Sequence, residues 1–152
     1  MAVPWVGAEL NLKDEALDPE QVSERIGLAP TRSHKRRDPV AEAHLRSAHF
    51  GLWVVSVPRR ESYEIDVVVD ELLDLLDPHW ERIVSTIQAL DLTGTLYADV
   101  LVADEFPGVG LSENALRRMA RLGVPFEMDV NPLVPGVNDE PKPLVPGPSL
   151  EG

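Results

Sequence analysis

"AELNLKDEAL", residues 8–17, aligns without a gap on "ADVLVADEFP", residues 98–107, and how this pair is read decides the fold. Each copy mixes apolar and polar side chains with strand-like alternation and then meets an Asp-Glu pair, as a half-buried strand does on reaching a turn. A helix signal follows each. After the first, Asp18 can cap, Pro19 suits the first helical position, Gln21 stands three residues past the cap and Gly27 can end the helix. After the second, Ser112 caps, Leu116, Met119 and Ala120 make an apolar stripe, and Gly123 closes. Short steps, "GLAP" and "GVP", then lead into two more strand candidates, "FGLWVVSVP" from Phe50 and "PFEMDV" from Pro125.

Two such strand-helix-strand units predict an α+β fold of ferredoxin-like type, duplicated, with a four-stranded and mainly antiparallel sheet carrying its helices on one face. A three-layer α/β sheet is the alternative, because helices separate successive strands. Between the units, "YEIDVVVDELLDLLDPHWERIVSTIQAL" (63–90) spaces Ile65, Val68, Val69, Leu72, Leu73 and Leu76 at helical intervals. Asp77-Pro78 then repeats the cap-plus-proline signal, which predicts an inserted helical pair. The first helix should end near Leu76, and the second should start at Pro78 with Trp80, Ile83, Val84 and Ile87 inward; one kinked helix is the other option. Residues 1–131 read as a single domain. Residues 132–152 read as a tail whose six prolines and doubled "PLVPG" exclude regular helix or a central strand.

The chain has 152 residues, enough for one core, and 43% hydrophobic content with 26% charged residues places it among packed globular proteins. It has no cysteine, which excludes disulfides, thiolate metal sites and a cysteine nucleophile. No signal peptide or membrane-length apolar run is visible, so the expected compartment is the cytoplasm. The net charge is −12. It is unevenly spread: residues 30–60 carry +5 and the remainder −17. A field of that sign disfavours nucleic acid and anionic membranes and favours basic proteins.

Strand alternation sorts the candidate functional residues. Leu10, Leu12, Val100, Val102, Phe126, Met128 and Val130 should share the helix-covered face, and Glu9, Asn11, Tyr97, Asp99, Glu127 and Asp129 the other, with Trp53 beside them. Trp53 and Tyr97 would anchor a partner, and Glu9, Asp99 and Asp129 would steer it. The basic connector "PTRSHKRRDPVAEAHLR" (30–46) offers a second set, Thr31, Arg32, Lys35, Arg36 and Arg46, suited to phosphate or carboxylate. No catalytic residue and no cofactor is predicted. The four histidines follow no metal spacing, the carboxylates follow no cation-loop motif, and no serine sits in a nucleophile elbow. "PGVGLS" (107–112) lacks the Lys-Ser/Thr ending of a phosphate loop and reads as a turn into a capped helix.

"LDPEQVSERIGLAPTRS" from Leu17, "LWVVSV" from Leu52 and "GLSENALRRMARLGVPFEMDV" from Gly110, in that order, resemble the bacterial family catalogued as domain of unknown function 4279. The resemblance spans roughly residues 5–131 on pattern alone. It implies no activity, cofactor or catalytic residue, and it marks Pro30, Thr31 and Trp53 as family-type positions. The functional expectation is therefore a non-enzymatic binding module that recognises a protein partner through an acidic sheet face and the basic connector. An immunity-type protein that neutralises a basic toxin is one concrete version. The alternative is a small anionic-ligand protein, or an enzyme, using the connector. A homo-oligomer is compatible with either.

Overall fold

The computed structural model describes residues 3–37 and 49–134. Its elements run β1 (Trp5–Asp14), α1 (Pro19–Ile26), β2 (Arg32–His34), β3 (Gly51–Glu61), α2 (Ile65–Leu76), α3 (Trp80–Leu90), β4 (Thr93–Val102), α4 (Glu113–Leu122) and β5 (Phe126–Pro132). The sheet order is β2-β3-β1-β4-β5. β5 runs parallel to β4, and every other neighbouring pair is antiparallel.

The fold is α+β, but the four-stranded ferredoxin-like sheet gives way to a five-stranded mixed one. A crossover through a helix on one face brings the chain back parallel to its starting strand. In the first unit that return is β2, three residues inside the basic connector, and β3 then runs back between β2 and β1, antiparallel to both. In the second unit α4 delivers β5 straight to the side of β4. The same local pattern thus yields one split and one unsplit unit. At the centre of the sheet β1 and β4 pair antiparallel with Ala8 opposite Ala98, the residues that begin the two aligned stretches.

Buried side chains from all four α-helices join Val6, Ala8, Leu10 and Leu12 of β1 in one apolar cluster. The helices therefore cover one face, and the three-layer alternative is set aside. Burying each large aliphatic of this cluster contributes about 1.5–3 kcal/mol. The caps act as their residue types require: Asp18 Oδ1 accepts from the Glu20 N–H at 3.1 Å, and Ser112 Oγ from the Ala115 N–H at 3.0 Å. Gly27 and Gly123 end their helices at φ 79° and 67°. The inserted pair forms as α2 and α3, joined by a 3-10 turn at Asp77–His79, where Pro78 brings no N–H to the helical ladder.

Two helix faces differ from expectation. On α4 the buried apolar residues are Ala115, Met119 and Leu122, while Leu116 is 52% exposed and Ala120 is also exposed. The stripe shifts because Arg118 turns inward, where its guanidinium meets Asp70 at 3.2 Å, Asp74 at 2.7 Å and Asp77 at 3.2 Å. Burial works against that charge, but Asp74 and Asp77 outweigh it and hold the guanidinium above its ordinary pKa. On α3, Ile83 and Thr86 are buried and Trp80, Ile87 and Leu90 pack on the core, whereas Val84 is half-buried outside it. Among the described residues no helix is long and apolar enough to cross a membrane. The tail from residue 135, and connector residues 38–48, lie outside the described residues.

Candidate functional site

With Val6, Ala8, Leu10 and Leu12 under the helices, strand parity sends Trp5, Gly7, Glu9 and Asn11 to the open face. Register then builds rows across that face. Ser56, Glu9, Tyr97 and Glu127 form one; Gly7, Asp99 and Asp129 a second; Trp5, Leu101 and Asn131 a third. Glu9, Tyr97, Asp99 and Asp129 thus come together as expected.

Trp53 does not join them. It pairs with Leu12, is 0% exposed within the core, and donates from Nε1 to Ser23 Oγ at 2.9 Å. Residues directly opposite share a face, so an inward Leu12 fixes an inward Trp53. "LWVVSV" is too uniformly apolar to reveal its own parity. The open-face tryptophan is Trp5, half-buried, and the β1 alternation extended back from Glu9 would have found it.

The central carboxylates are each paired with an arginine from another strand. Arg32 on β2 reaches over β3 to Glu9, its Nη2 donating to Oε1 at 3.0 Å and Oε2 at 3.3 Å, while Asn11 Nδ2 donates to the same Oε2 at 3.1 Å. Arg59 on β3 crosses β1 to pair with Asp99 on β4. Two local features make that crossing work. β3 carries an extra residue between the Val57–Ala8 and Arg60–Val6 pairs, a bulge that turns Arg59 onto the open face. Its path lies over Gly7, where a Cβ would stand 3.0 Å from Arg59 Cγ. Arg59 is the site residue that sequence reasoning missed, since no local signal announced the bulge.

Burial dominates the electrostatics here. Glu9 is 5% exposed, and its burial raises its pKa despite the pull of Arg32 and Asn11; Asp99, also 5% exposed, is raised by burial despite Arg59. Arg32 is lowered by burial against the opposing effect of Glu9. Tyr97 is raised by burial and then by the Glu127 carboxylate. Glu127 and Asp129 themselves are exposed on β5, the last strand of the sheet, and no cation stands within ion-pair distance of them among the described residues.

The connector set disperses. Thr31 Oγ1 accepts from the Ser56 N–H at 2.9 Å, Arg32 joins Glu9, Lys35 sits 3.9 Å from Asp18 in an exposed pair, and Arg36 is exposed. Arg46 lies outside the described residues. Among the described connector residues, Arg32 pairs its side chain with the acidic face. The loop before α4 is no phosphate cradle either: the Gly108 carbonyl accepts from the Ile65 N–H at 3.3 Å and ties the loop to the start of α2. Among the described residues no group of three or more His, Asp or Glu side chains could hold a metal ion.

The model of a family described as a domain of unknown function (DUF4279) matches residues 4–133. The chain belongs to that family. The match runs from β1 through β5, so both arginine-carboxylate pairs lie within the family domain. No curated protein and no solved structure matches the chain.

Proposed function

We propose that the chain is a non-enzymatic binding module whose open sheet face docks a basic segment of a protein partner. The observation that carries this reading is the half-face of β4 and β5: Glu127 and Asp129 stand exposed beside half-buried Tyr97 on the last strand of the sheet, with no cation in ion-pair range among the described residues. The carboxylates further in, Glu9 and Asp99, already have their arginines, so Glu127 and Asp129 supply the steering field. Tyr97 and Trp5 take the anchoring role first sought in Trp53 and Tyr97. As the last strand of the described sheet, β5 adds a template for an extended segment.

A cytoplasmic immunity-type protein that captures a basic toxin remains the concrete version of this proposal. We further read the gap-free echo of the two copies as the trace of a duplication; the pairing of Ala8 with Ala98 supports it. The test is retention of a partner from cognate lysate by the wild-type chain and by an E127K/D129K variant, each at low and high salt. The expected result is a basic protein held at low salt, released at high salt and not retained by the variant. Retention unaffected by the charge reversal would overturn the assignment of the site.

A further inference from the structure

On the other half of the same face, Arg32 is built in from several sides. The Thr31 N–H donates to the Val54 carbonyl at 2.7 Å and Thr31 Oγ1 accepts from the Ser56 N–H, so the chain just before Arg32 is fastened to β3 at two points. Register places Arg32 opposite Val54, which is fully buried. Glu9, oriented by Asn11, then engages the guanidinium through Nη2 alone. An arginine held this way has little freedom to seek other partners.

Its remaining donors are unused. Arg32 Nε and Nη1 are buried with no hydrogen-bond partner among the described residues, and so is Ser56 Oγ on the strand position opposite Glu9. Ser56 as a whole is 8% exposed. Buried donors of this kind are costly to leave unmade, and each one in a native structure calls for an explanation. All three atoms can donate, and two of them can only donate. The group that fits is rich in acceptors, and a guanidinium favours an oxyanion.

We propose that Arg32 and Ser56 form a subsite for a small oxyanion, a carboxylate or phosphate group, with Glu9 as the positioning residue that aims the guanidinium. The subsite uses none of the residues on which partner docking rests, Glu127, Asp129 and Tyr97, so either proposal can fail alone.

The test follows the Arg Nε–Hε resonances of the ¹⁵N-labelled chain during titration with inorganic phosphate and, separately, acetate at constant ionic strength; the Arg32 signal is identified by its loss in R32K. A saturable shift of that signal is expected with at least one anion. S56A, checked for an unchanged melting temperature, should weaken the response several-fold, and R32K should weaken anion binding measured by calorimetry about tenfold or more. Response to phosphate alone identifies a phosphoryl ligand, and response to acetate alone a carboxylate. An Arg32 signal that stays fixed in both titrations, or a response that S56A and R32K leave intact, overturns the subsite.

Discussion

The two faces of this one sheet differ in whether charge is buried on them: both bury apolar strand residues, but among the described residues only the open face buries strand carboxylates. Under the helices, Trp53, Leu10, Leu12 and Val55 lose water to other apolar groups, and the single polar atom of Trp53 has its acceptor in Ser23. On the open face, burial falls on Glu9 and Asp99, and both carboxylates become harder to ionise even with an arginine beside each. Apolar burial adds to stability directly; charge burial must first offset desolvation, and it does so only with well-placed partners. A fold gains little net stability from such an arrangement. Arg118 between α2 and α4 sharpens the contrast: three carboxylates engage its two terminal nitrogens, which makes it a brace between helices.

The largest test of this contrast is Trp53→Ala. If Trp53 belongs to the core, the substitution should cost about 3–5 kcal/mol in urea unfolding, the range for truncating a buried aromatic. A cost near zero would return Trp53 to the surface role that the sequence suggested. Next comes Arg59→Ala, which strands the Asp99 carboxylate and should cost about 2–4 kcal/mol. Arg59→Ala combined with Asp99→Asn should recover most of that loss, because no buried charge is then left alone. Failure to recover would mean that Arg59 acts by packing over Gly7.

The open face should also leave a mark on pH dependence. Glu9 has its pKa raised in the folded chain, so between the ordinary carboxylate range and that raised value the folded state holds more protons than the unfolded one. Stability carried by this group therefore rises as pH falls through that window. Glu9→Gln should flatten the rise in chemical-denaturation midpoints as pH is lowered from neutral toward the ordinary carboxylate range. A steeper rise in the variant would contradict burial as the leading cause. The smallest effect is expected at the rim: Glu127→Gln with Asp129→Asn should change stability by less than about 0.5 kcal/mol. A larger loss would make those carboxylates part of the fold and weaken their assignment to a partner.

Much of this was legible in order along the chain, and the reason differs from element to element. α2 announced itself because Ile65 to Leu76 repeat at helical spacing on a face that packs, and α1 because Asp18, Pro19 and Gly27 each satisfy a local backbone need. α4 was found but rotated, since a periodicity count treats Arg118 as polar and cannot foresee three aspartates arriving from α2 and the turn that follows it. β2 was missed because three residues hold no periodicity, and with it went the mixed sheet. Glu9, Tyr97, Asp99 and Asp129 were placed together by alternation alone, whereas Arg59 depended on a bulge and Trp53 on a neighbour's parity.

Local signals, caps, turn residues and hydrophobic period, suffice to determine the four helices and the four longer strands here, because each is decided by interactions within a few residues. Which strand lies beside which, and so which arginine meets which carboxylate, depends on pairings between residues as distant as Arg32 and Glu9 or Arg59 and Asp99. Those contacts belong to the closed sheet, since their energy comes from shared burial that no isolated segment has.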